Sequence, residues 1–414
     1  MRSRAAIFAI LAGLVLVISQ SAIGFAATKG GDAPVQFARA ELGGGLREGV
    51  ARGAPLTLAA KGLISGTYTD LFGYGDINYQ SGSWTSAWTA VPFAFDEFVA
   101  SWNATTPATT WIRVEMQARG SGRETKWYTM QVWASGDGDI HRTSVRLQGS
   151  VDGFIAIDTF IRDSKAPALD SYRLKVTLYR KAGSSATPSV RFLGAMTSAA
   201  FTYATPSTFT GSAVDLNVPT LSQEIHAGHF PEYDGGGEAW CSPTSTAMVL
   251  GFWKSGPTGA QLAAFPGAHV DGQVDHAARY VYDWNYQGAG NWPNNTAYAA
   301  TFGLNGFVTR LRSLSEAQLF IEAGIPLVAS INGRLPGFLF GKTSGHLLVI
   351  RGFSANGDVI TNDPAVFADA LANKTYGRED FEDVWLGGSA GIVYVIYPSG
   401  TALPAHVAGL PWNW

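Results

Sequence analysis

The fold turns on the stretch Gly235-Gly236-Gly237-Glu238-Ala239-Trp240-Cys241-Ser242-Pro243-Thr244-Ser245-Thr246-Ala247-Met248, which holds the only cysteine of the 414 residues. A glycine run delivers the chain to that cysteine, and a helix is predicted to start just after it. Ser242 is a good N-cap, Pro243 suits the first helical position, and Met248, Val249, Leu250 and Trp253 continue as apolar residues. A thiol at a helix N-terminus meets the positive end of the helix dipole, which favours thiolate. The competing reading is a small buried residue at a helix start, since free cysteine is among the most buried residue types. The surrounding sequence has to decide between them.

Toward the N-terminus, the basic Met1-Arg2-Ser3-Arg4 leads into an apolar run from Ala5 to Ile18, then to Gly24-Phe25-Ala26-Ala27. Residues 1–26 read as an export signal cut near Ala26, with an apolar region short of a membrane span, so a secreted protein is expected, with no membrane association after cleavage. In an exported chain, a single cysteine forms no internal disulfide, and its thiol is exposed to oxidation unless it is buried or useful. Zinc held by a cysteine cluster is excluded. The formal net charge is −3 and no basic run occurs, so no nucleic-acid partner is expected. The length points to two domains.

The first half reads as a β domain. Residues 27–61, with Gly43-Gly44-Gly45 and little periodicity, read as a loosely packed lead-in. Residues 62–203 read as an all-β sandwich or jelly roll. Trp111–Ala118, Trp127–Trp133 and Tyr172–Tyr179 alternate with period two, Val190–Met196 is a further strand, and Gly- and Ser-rich turns separate them. Trp84, Trp88, Trp102, Trp111, Trp127 and Trp133 could build a flat face for sugar or cell wall. Core filling is the other reading, because Trp111, Trp127 and Trp133 fall in phase with the apolar side of their strands. His141 stands alone and reads as a turn or surface residue. Residues 204–215 read as the linker.

The second half, residues 216–397 followed by a tail at 398–414, carries the chemistry. Helices are predicted over 274–284, 295–302 and 315–322, and strands at 307–311 and 325–331. Ser344–Phe353 is a strand with His346 near its start, Ser354–Asp358 is a turn containing Asn-Gly, and Val359–Ala365 is the return strand. With the turn centred between Ala355 and Asn356, His346 faces Ala365, and Asp363 is one diagonal step away on the same face. A slip of one residue would move Asp363 to the other face and leave Asn362 as partner. Cys241, His346 and Asp363 then form nucleophile, general base and orienting acid. The Cys241 backbone N–H and the Gln223 side chain are the candidate oxyanion donors.

These residues resemble the papain-like cysteine peptidases related to the bacteriocin-leader processing peptidases, in a secreted, stand-alone form. The resemblance runs through Val218-Pro219 to Gln223, Trp240-Cys241-Ser242-Pro243, Asn291-Trp292-Pro293, Gly345-His346-Leu347 and Asn362-Asp363-Pro364. It implies an α+β papain-like domain over 216–397, catalytic roles for Cys241, His346 and Asp363, and Gln223 as the oxyanion glutamine, with no cofactor. The leader-processing members are fused to a transporter, which has no counterpart here, so leader cleavage is not carried over. The first domain resembles sandwiches that precede such peptidase domains, with Phe98-Val99-Ala100-Ser101-Trp102-Asn103 as the local match. Trp240, Asn291 and Trp292 are candidates for the substrate groove, and Trp284 and Tyr286 are further aromatic candidates. His226 and His229 with Glu224 and Glu232 are the nearest approach to a metal set, but spacing alone is weak and no metal is expected. A peptide or protein substrate is expected, with cell-wall glycan as a possible partner of the β domain. The rivals are a wall-peptide amidase or acyl transferase using the same triad, and a non-catalytic glycan-binding protein.

Overall fold

In the computed structural model, residues 34–200, 207–265 and 270–414 are described. The export signal predicted over residues 1–26 lies outside them.

In the first half, β-branched and aromatic residues alternate along antiparallel strands. Thr110–Gly120 pairs with Leu169–Lys181 on one side and with Tyr128–Trp133 on the other. Gly75–Thr85 and Leu46–Glu48 continue this sheet. A second sheet runs Val35–Arg39, Ser189–Ser198, Glu97–Thr105, Thr159–Arg162, Gly153–Ala156. Ile112, Val114, Met116 and Ala118 face Phe98, Ala100, Trp102, Leu193 and Ala195 across a shared core, so the two sheets form a β-sandwich.

The expected lead-in is part of these sheets. Val35–Arg39 pairs with Ser189–Ser198, Leu46–Glu48 with Gly75–Thr85, and Leu56–Thr57 with Ser189 and Val190. Val35, Phe37, Leu42, Val50 and Leu56 are buried. The strands are too short, and too often broken by glycine, to show a period in sequence.

Four of the six tryptophans are buried: Trp84, Trp102, Trp111 and Trp133. Trp111 lies on the face opposite Ile112, in a smaller cluster with Ile77, Val132, Ile140 and Tyr179. A bulge between Thr129 and Gln131 turns Trp133 inward with Tyr128 and Met130. Trp88 and Trp127 are half-buried and covered by cations. Arg119 and Arg173 lie 4.4 and 4.6 Å from the Trp88 ring, and Lys175 lies 4.5 Å from that of Trp127. His141 is buried rather than at the surface, with Nδ1 2.9 Å from Asp70 Oδ1 and its ring 4.2 Å from that of Trp284.

The second half is α+β. Its antiparallel sheet runs Leu304–Arg310, Ile392–Pro398, Leu327–Arg334, Lys342–Phe353, Val359–Asn362, Asn373–Tyr376, with Val214–Asp215 pairing to Lys342–Phe353. The helices are α1 (Cys241–Phe252), α2 (Gly259–Ala263), α3 (Gly272–Val281), α4 (Trp292–Ala300), α5 (Leu314–Glu322) and α6 (Arg378–Glu382). Helix α1 is buried without a break from Ser242 to Leu250, its hydroxyl residues Ser242, Thr244, Ser245 and Thr246 included. Ser245 Oγ donates to Leu347 O (3.1 Å), which ties α1 to the strand of His346.

Helix α1 begins two residues before the predicted start. Trp240 is its N-cap, and Thr244 N–H donates to Trp240 O (3.0 Å). Ser242 is not the cap because its hydroxyl pairs with Tyr394 OH (2.9 Å) in the core. Pro243 falls in the first turn, where an N–H has no intrahelical acceptor. Cys241 is therefore the first helical residue.

The halves share a core, with Val35, Phe37, Val99, Phe192 and Met196 packing into that of the second. Asn103 Nδ2 donates to Gly306 O (2.7 Å), Asn103 Oδ1 accepts from Gly306 N (3.2 Å), and Ser101 Oγ accepts from Val308 N (3.0 Å). The residues of the tail clasp both halves: Phe37 N–H donates to Trp412 O (2.7 Å), and Asn413 Nδ2 donates to Arg310 O (2.8 Å).

Candidate active site

His346 and Asp363 meet through a register correction. Next to the turn, Phe353 pairs with Val359 and Gly352 with Ile360, one residue off the predicted register. A bulge between Ile350 and Gly352 absorbs that residue, and Val349 then pairs with Asn362 in the predicted register. His346 Nε2 lies 2.8 Å from Asp363 Oδ1. Asp363 Oδ1 also accepts from Ala365 N–H (3.0 Å), and Oδ2 accepts from the Tyr376 hydroxyl (2.7 Å). Both residues are buried. Asn362 instead donates to Val218 O and Pro219 O, holding the segment that leads to Gln223.

His346 Nε2 is taken by Asp363, and the Cys241 sulfur also interacts with the His346 ring. Burial works against a charged imidazole, but the Asp363 carboxylate and the Cys241 sulfur outweigh it and raise His346 to about 10. Burial likewise works to raise Asp363, but His346, the Tyr376 hydroxyl and the Ala365 N–H outweigh it and hold the carboxyl below its ordinary value. The pair is built to carry its charges.

Gln223, the candidate oxyanion donor, stands at the start of the loop before α1. Gln223 is buried, and its N–H donates to Pro364 O (2.9 Å), beside Asp363. Its side-chain Nε2 donates to Glu238 O (2.6 Å) and Glu224 Oε1 (3.2 Å). The amide that could meet an oxyanion is thus shared with a carboxylate. Gly237 allows the approach, because a Cβ there would collide with Gln223 O and the His226 backbone. Gly236, at φ +111°, makes the turn that a larger residue would resist.

Two predicted groove residues are core residues instead. Trp240 is fully buried, with its indole N–H donating to Tyr233 O (2.6 Å). Asn291 is buried as the N-cap of α4, accepting from Asn294 N and donating to Asp283 Oδ2 (2.8 Å). Trp292 is half-buried. The open surface beside His346 is apolar: Phe338 packs on the imidazole at 5.1 Å, and beyond it Phe340 and Phe367 are 52% and 65% exposed, 6.4 Å apart.

Asp158, in the first domain, carries no signal in sequence and reaches this region. Its Oδ2 accepts from the Trp292 N–H (2.8 Å) at the start of α4. Burial pushes its carboxyl up to about 7, with Asp283 adding to the shift and hydrogen bonds from Trp292 and Thr159 opposing it. Asp158 and Cys241 both act on the Tyr286 and Tyr394 phenols. Asp283 is a second such residue, accepting from Ser144 N (3.0 Å) across the domain boundary and from Asn291. A cleft of about 950 Å³ opens between the domains at Thr105, Lys254, His276, Arg279 and Tyr280, and contains none of the triad residues. His226, His229 and Asp275 form a group able to hold an ion, and Glu224 and Glu232 are not part of it.

Residues 35–198 match the family model of the peptidase C39 N-terminal domain, and residues 215–390 match the Peptidase C39 like family. The resemblance to C39-type peptidases is thus carried by both halves of the chain. That family suggests a peptidase of the cysteine type. No curated protein matches the chain. A solved C39-like peptidase from Bacillus anthracis is 18% identical, with 45% of this chain and 98% of that one covered at a TM-score of 0.30. The CBM22-1 and GH10 modules of the Clostridium thermocellum endo-1,4-β-D-xylanase 10B, complexed with xylohexaose, are 9% identical. There the match covers 48% of this chain and 32% of that one, at a TM-score of 0.19.

Proposed function

We propose that this chain is an exported cysteine peptidase whose second half is a papain-like domain. The observation that carries this reading is His346, bonded through Nε2 to Asp363 and raised by both that carboxylate and the Cys241 sulfur. The imidazole takes the thiol proton, and Asp363 supports the charged ring. The thiolate attacks the peptide carbonyl, while the Cys241 N–H and Gln223 serve the oxyanion. His346 then gives its proton to the leaving amine, which departs and leaves a thioester. His346 next takes a proton from water, the hydroxide adds to the thioester, and the acid product leaves as the thiolate returns.

Phe340 and Phe367 beside His346 favour peptides with apolar side chains near the cut bond. The wall-glycan reading of the β domain is weakened by its tryptophans, four in the core and two covered by cations. The test is digestion of casein and of purified wall peptides by the full chain and by Cys241→Ala. Casein cleavage that vanishes in Cys241→Ala supports the peptidase. Cleavage of wall peptides alone moves the assignment to an amidase, and turnover that survives Cys241→Ala overturns the mechanism.

A further inference from the structure

The loop between Gln223 and Cys241 holds a cluster that the triad does not use. A short turn, Glu224–His226, brings His226 Nδ1 to 3.0 Å from Asp275 Oδ1, and His229 Nδ1 reaches the same oxygen at 3.1 Å. Asp275 lies in the first turn of α3. One donor atom from each of the three residues lies within 4.8 Å of the others. The two rings stand at 87° with centroids 5.2 Å apart, so they approach one point from two directions. The side chains of His226 and Asp275 are fully buried, whereas that of His229 is 23% exposed, which leaves one edge open to solvent.

As a hydrogen-bond network, this cluster is poorly satisfied. One oxygen of Asp275 serves two imidazoles, while Asp275 Oδ2 and His226 Nε2 are buried with no partner among the described residues. As a ligand set it is well proportioned. With metal–donor bonds of about 2.0–2.2 Å, neighbouring donors of a tetrahedral zinc site stand about 3.3 Å apart. The two imidazole–Asp275 pairs, at 3.0 and 3.1 Å, reach that spacing by opening about 0.2–0.3 Å. Two imidazoles and one carboxylate favour a first-row transition ion over calcium or magnesium, which prefer oxygen. Asp369, which also acts on His226, adds negative charge nearby.

We propose that His226, His229 and Asp275 bind one divalent transition ion of the zinc class, with a solvent-side position completing its coordination. The ion staples the 224–239 loop to α3. One end of that loop carries Gln223, and the other carries Trp240, whose ring lies 6.2 Å from that of His226. The site is structural and separate from the triad, and it replaces the two glutamates suggested by sequence with Asp275, 49 residues beyond His226.

The test uses the full chain carrying Cys241→Ala, so that the triad thiol cannot hold the metal. The protein is stripped with a chelator and titrated with Zn²⁺, then with Co²⁺. The expected result is one zinc per chain at a Kd of about one micromolar or tighter, a tetrahedral Co²⁺ absorption band, and a melting temperature that rises with added zinc. Asp275→Asn and His229→Gln, each made in that background, are expected to weaken zinc binding by about 100-fold or more. His229 is partly exposed, so His229→Gln decides the matter if Asp275→Asn does not fold. A stripped chain that takes up no zinc at tens of micromolar, or a His229→Gln chain that binds as tightly as its parent, overturns the proposal.

Discussion

Replacing Asp363 with asparagine keeps the shape of the site and removes one charge. The His346 Nε2 partner, the Ala365 N–H and the Tyr376 hydroxyl all remain in place to meet an amide of the same size. At a charge separation of about 4 Å and an effective dielectric of about 20, the lost attraction is about 4 kcal/mol. That corresponds to about three pH units on the imidazole, which brings His346 from about 10 toward 7. Between about pH 7 and 10 the wild-type ring therefore keeps the charge that supports a thiolate, and the variant ring has lost it. The assay is the rate of Cys241 alkylation by iodoacetamide from pH 5 to 11, with near-UV circular dichroism to show that the fold persists. Labelling is expected to fall in Asp363→Asn between about pH 7 and 10, where only the wild-type ring is charged, and the two proteins should converge above pH 10. A folded Asp363→Asn chain that labels at pH 8.5 as fast as the wild type would falsify the ion-pair reading.

Gln223→Ala removes one oxyanion donor, so kcat should fall by about 100- to 1000-fold while iodoacetamide still labels Cys241 at pH 6; an unchanged kcat would return that role to the Cys241 N–H alone. Phe340→Ala with Phe367→Ala should raise KM for a peptide with apolar side chains by about 10-fold, with a smaller change in kcat; equal losses on polar and apolar peptides would remove these rings from the groove. Asp158 has a folded value raised to about 7, so its contribution to stability is present below the ordinary carboxyl range and is lost as pH rises through 7. Asp158→Asn should therefore remove a fall of about 2–4 kcal/mol in unfolding free energy between pH 4 and 8, and a variant with the same pH slope as the wild type would contradict a neutral Asp158 at acid pH.

Much of the second half is legible in sequence because its signals are local. The predicted helix over 315–322 is α5 (Leu314–Glu322), with Ser313 Oγ accepting from Glu316 N–H as the capping pattern implies. The predicted strand at Ser344–Phe353 is found at Lys342–Phe353. The approach of Asp363 to His346 is correct for a reason sequence does not display, since the turn runs one residue off and the bulge near Arg351 restores the register. Ser242 looks like a cap because its type and position fit, yet a hydroxyl partner from the distant Tyr394 outcompetes the local bond. Trp240 and Asn291 sit beside motif residues and so look like groove residues, but burial depends on the whole packing. Asp275, Asp158 and Asp283 are single carboxylates with no motif around them, and their meaning comes from partners 49 to 139 residues away.

Those long-range partners bear on what the β domain is for. Phe98–Asn103, the stretch that resembles other sandwiches of this kind, is also the stretch that docks on the second half through Ser101 and Asn103. The two hydrogen bonds between Asn103 and Gly306 are buried, and leaving such groups unpaired costs about 1–3 kcal/mol each. Val35, Phe37, Val99, Phe192 and Met196 add apolar burial at the same boundary. Asp158 then accepts from the first N–H of α4, beside the Asn291 cap, and Asn295 of the same helix is bonded to Thr246 of α1. A chain of contacts therefore runs from the sandwich through α4 to the helix that begins at Cys241. A freely swinging binding module would need none of this, and a detachable cover would not supply a buried acceptor to a central helix. The arrangement is that of a domain which holds α4, and through it the second turn of α1, the helix that begins at Cys241.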